Sequence, residues 1–423
     1  MSQTIYCNLS QIPNFNELVL NDDEKSENYT SKILKINKVE YNNLHSSAGK
    51  YKIVRYDKQM LCSDVIPTYG LCRSIIINND NEIICFSPPK SVSADTFMNL
   101  FPTKNDNIVA EEFVEGTMIN VFWDKSIGLN GAWEIATRNT IGAGSSFYQV
   151  EKTKTFRDMF IEAAACNKLE LDKLNRSLCY SFVLQHPENR IVVPFNKPQL
   201  YLVAVYSFDN TDKNNIQILS YDMNDMKNSD ISKVTTIKFP QIYEWNTYSD
   251  LIDKYASMNS SYDVLGVVIY NKQTGVRTKI RNPVYEQVRQ LRGNQPKLQY
   301  QYLCLRKEGK VSDFLKFYPE NKKAFSSFRD QIHLFTHTVF MNYISCYIKK
   351  EKPLIEFSEQ YRTHMFNIHQ LYLNELKEKN MYVTNSVVIK YVNELHPSLL
   401  MFCLNFQMRK RNVDFIKSDT ELN

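Results

Sequence analysis

Four short segments between Glu111 and Arg281 constrain this chain more than any other feature, because each is an apolar run closed by charge or glycine. They are Glu111 to Ile119 (EEFVEGTMI), Trp133 to Arg138 (WEIATR), Tyr180 to Val193 (YSFVLQHPENRIVV), and Leu265 to Ile269 (LGVVI) followed by Lys279-Ile280-Arg281. Runs this short, rich in β-branched and aromatic residues, read as strands.

The rest of the first 290 or so residues fits a sheet-rich fold. Lys32 to Tyr56 alternates enough to begin a sheet. Arg73 to Phe86 reads as a β-hairpin: Ser74-Ile75-Ile76-Ile77, a turn at Asn78-Asn79-Asp80-Asn81, then Glu82-Ile83-Ile84-Cys85-Phe86. Ile108 to Trp123 and Trp133 to Arg138 give two more strands, and Leu200 to Phe208 another. Val264 to Ile269 and Val276 to Arg281 finish the sheet. Gly142-Ala143-Gly144-Ser145-Ser146 lacks the spacing of a P-loop and reads as a turn. Thr155 to Leu174 carries apolar residues at helical spacing, and Asp209 to Lys238 is polar enough for a surface excursion.

In order and spacing, the four segments resemble the nucleotidyltransferase motifs of ATP-dependent RNA ligases of the bacteriophage type. The resemblance runs from about Tyr69 to about Tyr285, and its most specific piece is Pro187-Glu188-Asn189-Arg190-Ile191-Val192-Val193. It implies an α+β fold: an antiparallel-sheet nucleotidyltransferase domain over 31–293, after an amino-terminal extension over 1–30. An all-α carboxy-terminal domain is expected over 294–423. There Val311 to Tyr318, Lys323 to Tyr347, Leu354 to Glu378 and Val383 to Asn405 show apolar residues at intervals of three and four.

The chemistry the resemblance implies needs a lysine amine to attack the α-phosphate of ATP. An amine with an unperturbed pKa near ~10.4 does not do so at neutral pH unless burial or neighbouring cations depress it. Active ligases place that lysine three residues before the motif glycine, where this chain has Phe113. A phenyl ring forms no phosphoramide. The family's glutamate in the Phe-x-Glu-Leu element becomes Val183, and the glutamate before Gly266 becomes Leu265. Mg²⁺ wants oxygen ligands that valine and leucine cannot supply. ATP and Mg²⁺ are therefore expected as cofactors only if catalysis survives, and no metal-binding residues are assigned.

What the motifs keep is suited to holding phosphate. Glu115 and Gly116 remain, as do Arg73, Lys90, Arg138, Lys279 and, with lysine changed to arginine, Arg281. In the family these positions contact ribose, triphosphate or the donor phosphate, and Tyr206 sits where an aromatic often faces the base. Each also has an ordinary structural reading: a strand-end turn for Glu115-Gly116, a solvated strand edge for Arg138 and Lys279, a surface amine after two prolines for Lys90, core packing for Tyr206. The expectation is a catalytically degenerate ligase homologue that binds nucleotide or 5′-phosphorylated RNA ends. The alternative is an active ligase using a displaced lysine, Lys90 first, with Lys104 and Lys125 flanking the motif strand. A structural or interaction protein of a virus, with a protein partner, is the second alternative.

Charge and composition fit these expectations without deciding among them. The formal net charge is +5, but Val276 to Lys310 holds nine basic residues against two acidic ones, interleaved with Tyr285, Tyr300 and Tyr302. That pattern suits RNA phosphates and unstacked bases, or a solvated linker. Arg409-Lys410-Arg411 adds a short basic tail. The nine cysteines form no Cys-x-x-Cys pair, and no 18-residue apolar run marks a membrane span, so a reducing, cytoplasmic setting is expected. His333 with His337, and His364 with His369, lack a metalloprotease arrangement and read as core or surface histidines. The abundance of Asn, Lys, Ile and Tyr beside 11 glycines resembles ligase-like proteins of large DNA viruses.

Overall fold

The computed structural model describes residues 3–17, 32–42, 48–146, 154–212, 214–295 and 297–408. The acidic stretch Asn21 to Asn28 and the basic Arg409-Lys410-Arg411 lie outside these residues. The chain divides into two compact units, Met1–Arg289 and Gln290–Asn423.

The first unit is built on antiparallel sheets. The largest has six strands in the order β1 (Gln3–Asn8), β11 (Gln217–Tyr221), β10 (Gln199–Asp209), β9 (Cys179–Gln185), β7 (Thr117–Asp124) and β8 (Ala132–Ala136). A three-stranded sheet runs β13 (Arg277–Arg281), β12 (Gly266–Asn271), β6 (Ile108–Glu112), and a four-stranded one runs β2 (Leu34–Asn42), β3 (Ala48–Tyr56), β4 (Ile75–Ile77), β5 (Ile83–Phe86). Inward residues of the six-stranded sheet, including Ile119, Phe182, Leu184 and Leu202, pack on the helix Phe156–Cys166, which is nucleated by a capping box of Thr155 and Asp158. One face of the three-stranded sheet is closed by Phe97, Trp245 and Leu251 against Ile108, Ala110, Val267 and Ile269. Its other face is left for the site.

The structure corrects several sequence expectations. Ile108 to Trp123 is two strands in different sheets, broken at 113–116. Gly116 makes the break, at φ 149°, where a Cβ would meet the Leu184 carbonyl oxygen at 2.4 Å. Part of the segment expected as an extension instead forms β1, an edge strand paired with β11, and Leu9, Ile12 and Phe15 behind it are fully buried. The 209–238 excursion contributes β11 itself, which pairs with β10 as well. Six- and five-residue strands partnered some 200 positions apart leave little local signal.

The second unit is helical, with helices Leu298–Lys307, Val311–Phe317, Lys322–Tyr343, Glu359–Leu371, Asn385–Glu394 and Pro397–Leu404. Val383 to Asn405, expected as one helix, is two, bent by 115° where Pro397 opens the second at its first turn. The basic stretch after Val276 is not a linker: it contributes β13, the helix Pro283–Arg292 and the helix Leu298–Lys307. Tyr285 and Tyr302, expected to meet unstacked bases, are 2% and 4% exposed. His364 is buried, with its ring nitrogens 2.9 Å from the Tyr391 hydroxyl and 3.1 Å from Cys403 Sγ, whereas His333 and His337 are exposed. Among the described residues no single helix is long and apolar enough to cross a membrane.

Candidate active site

Strand alternation and register assemble the site. Val268 pairs with both Glu111 and Lys279, and Tyr270 with both Val109 and Arg277. Gly266 pairs with Arg281 and accepts a hydrogen bond at its carbonyl from the Phe113 amide at 3.3 Å. Because side chains repeat every second residue, Phe113, Glu111, Arg277, Lys279 and Arg281 all stand on the face opposite the helix-packed one. Gly266 permits this approach: its φ is 133°, and a Cβ there would meet the Ile280 carbonyl oxygen at 2.1 Å.

Around Phe113 the cations converge. Lys279 Nζ lies 4.6 Å from the Phe113 ring centroid and the Arg281 guanidinium 6.0 Å away. Lys90 is brought in by the segment that follows β5: Ser87 donates its amide to the Ser74 carbonyl, and Val92 donates to Arg277 in β13 at 2.9 Å. Arg73 Nη1 donates to the Pro88 carbonyl at 3.3 Å and so fixes the same segment. Arg277, absent from the sequence-derived set, has its Nε buried with no hydrogen-bond partner among the described residues.

Burial and mutual repulsion leave Lys279, Arg73 and Lys90 less basic than usual. Burial, then Arg277, Arg73 and Arg281, push the Lys279 amine down to about 6, opposed by Glu111. Burial and then Arg277 lower Arg73 to about 10. Lys90 is lowered by burial, Arg73 and Arg281. Glu111 is raised to about 7 by burial, against the pull of Arg277. Cations gathered beside a carboxyl that burial makes harder to ionise form an arrangement chemically suited to an anion. Glu111 and Arg277 also line a cavity of about 500 Å³, with Tyr6, Tyr206, Tyr270 and Lys227 among others.

The remaining expected site residues fall in different places. Tyr206 lines that cavity but is 3% exposed, edge-on to Tyr6 and Phe86. Arg138 donates from Nε to the Arg73 carbonyl at 3.3 Å and lies over the Tyr56 ring, supporting Arg73 from behind. Glu115 accepts the Val192 and Val193 amides at 2.9 and 3.1 Å and is buried, which raises its carboxyl while those bonds hold it down. Asn189 Nδ2 donates to Thr117 Oγ1 at 2.7 Å. The two most ligase-like segments are thus clasped together, and Glu115 is engaged with backbone. Neither Lys104, which donates to the Trp245 carbonyl, nor Lys125, paired with Glu82, reaches Phe113.

A divalent metal does not fit where the family would place it. Val183 is buried with Val114 and Tyr201, with Met118 and Val203 packed against them, so that wall offers hydrocarbon in place of oxygen. Leu265 supplies no side-chain oxygen either. Among the described residues no group of three or more His, Cys, Asp or Glu could hold a metal ion.

Antiparallel sheets that bring Phe113, Glu111, Arg277, Lys279 and Arg281 to one face make this an RNA-ligase-like nucleotidyltransferase fold. The chain is similar to an RNA ligase of Rhodothermus phage RM378, 24% identical over 326 residues, which is 70% of this chain and 71% of the relative. An archaeal ATP-dependent RNA ligase of known structure is 11% identical with a TM-score of 0.37, over 84% of this chain and 82% of that one. A Naegleria gruberi RNA ligase mutant with AMP and Mn is 15% identical with a TM-score of 0.34 over 48% of this chain, which spans only 57% of that protein. No protein-family model matches.

Proposed function

We propose that the protein is a catalytically degenerate RNA-ligase homologue retained to bind nucleotide or a 5′-phosphorylated RNA end. The observation that carries this is Lys279 and Arg281 over the phenyl group that stands where the nucleophile belongs. Beyond the effect of burial, Arg277 and Arg73 are close enough to Lys279, and Arg73 and Arg281 close enough to Lys90, to lower those amines. Phosphate contacts survive there, while the acceptor amine and two carboxylates do not. Removing one oriented electrostatic group costs about 10²- to 10³-fold in rate, so several losses together leave little catalysis. Incubation with α-³²P-ATP or α-³²P-GTP and Mg²⁺ or Mn²⁺ tests it. The expected result is no acid-stable label, with retention of 5′-phosphorylated over 5′-hydroxyl RNA.

One observation favours a second reading, self-nucleotidylation on a displaced lysine. The amine beside Phe113 is Lys279, whereas Lys90 Nζ donates to the Ser91 carbonyl at 3.1 Å. With its pKa near 6, Lys279 is mostly an uncharged amine at neutral pH. A peptide-mapped label on Lys279 would establish this reading and end the first.

A further inference from the structure

We infer that the cleft takes a polyphosphate without a divalent cation, the protein's own lysines and arginines replacing the metal as countercharge. This rests on the proposed binding function and deepens it. In a metal-dependent site the ion is the largest local charge, and carboxylates are needed to hold it. Here the two glutamate positions of the family are Val183 and Leu265, and Val183 is sealed among Val114 and Tyr201. Glu111 stands on the same face, two strands from Lys279 across Val268, and Glu286 pairs with Arg281 at 4.0 Å.

What compensates is visible in the same place. Arg277, Lys279 and Arg281 occupy alternate positions of β13, so one strand aims three cations at the face that carries Phe113. Arg73 and Lys90 add two from the segment pinned beside that strand. None of Arg73, Lys90, Arg277 and Lys279 forms a salt bridge among the described residues, and the Arg277 Nε is buried without a partner. Arg73, Arg277 and Lys279 are half-buried, and partly desolvated cations with no counter-charge are costly unless an anion meets them. Magnesium on the triphosphate would lower the ligand's charge while finding valine and leucine at the family's two glutamate positions. Such a site therefore favours the metal-free tetra-anion.

The full-length chain is titrated by calorimetry with ATP, and separately with a 5′-phosphorylated RNA and its 5′-hydroxyl counterpart, each in EDTA and in excess Mg²⁺. The expected result is a dissociation constant for ATP in EDTA equal to or lower than in Mg²⁺, weakened about tenfold by Lys279→Gln in both buffers, equivalent to one lost charge-assisted contact. Circular dichroism establishes that the variant is folded, and Arg281→Gln serves in its place if it is not. Binding tighter in Mg²⁺ by about tenfold or more overturns the inference but leaves the binding function standing. No binding of any ligand in either buffer overturns both. Tighter binding of the 5′-phosphorylated RNA than of ATP in both buffers overturns the polyphosphate as ligand and leaves the RNA-end form of the binding function standing.

Discussion

Among single residues, Lys279 carries the most testable physics. Its native pKa near 6 lies below the unfolded value, so between about pH 6 and 10 the unfolded state binds more protons and stability rises with pH. Replacing Lys279 with methionine should flatten that rise and increase stability at pH 7. The thermal midpoint should move up by about 2–4 °C for each kcal/mol recovered in a chain of this size. A bound polyphosphate reverses the shift. Calorimetry at pH 7.5 in buffers of different ionisation enthalpy should therefore detect proton uptake on binding, and affinity should fall as pH rises. Phe113→Lys, in contrast, should not restore self-nucleotidylation, because Val183 and Leu265 still lack carboxylates, and should lower the melting temperature through repulsion with Arg281. The losses at Phe113, Val183 and Leu265 were legible in the sequence because each is a change of residue type at a spaced motif. Arg277 and Glu111 were not, since their place beside Phe113 comes from register across three strands. The alternation of Arg277, Lys279 and Arg281 was the available signal.

At the scale of the element, the crossing from β6 to β7 decides whether the cleft exists. The hairpin of β4 and β5 could be read directly from its turn residues and β-branched runs. The crossing could not, because an apolar run interrupted by a single glycine looks like one long strand until tertiary packing splits it between sheets. Gly116→Ala should destabilise the first unit by about 1–3 kcal/mol, as it forces a side chain onto the Leu184 carbonyl in a backbone region that disfavours one. Urea unfolding with an unchanged slope would measure it. The clasp between Glu115 and Val192–Val193 is a second element-level device. In Glu115→Gln the neutral carbonyl oxygen accepts the Val192 and Val193 amides more weakly, and the amide nitrogen cannot accept the Val193 bond now made to Oε2 at 3.3 Å. Hydrogen exchange should then show lost protection at the Val192 and Val193 amides before any global loss of stability.

Over the whole molecule, sequence texture separated strand-rich from helical regions, since helical and strand periods differ, but it misjudged which basic and aromatic residues are free to meet a ligand. Tyr285 and Tyr302 looked like a stacking platform along a basic stretch. Tyr285 is instead buried in the first unit, and Tyr302 packs against Phe325 in the second. The net charge of +5 is modest, and Lys279 and Arg281 lie over the Phe113 ring, Arg281 also pairing with Glu286 at 4.0 Å. The proposed recognition is of a phosphorylated end and not of the length of a strand. Each neutralised phosphate of a single strand contributes about 0.7 to the slope of log affinity against log salt. Contact with two or three phosphates predicts a slope of about −1.4 to −2.1 that does not steepen as the RNA is lengthened from about 6 to about 20 nucleotides. Removing the 5′-phosphate should weaken binding more than removing half the nucleotides. A slope that grows with length would place the binding energy along the RNA backbone and away from the cleft. Fluorescence anisotropy on a matched length series, with and without the 5′-phosphate, decides between the two.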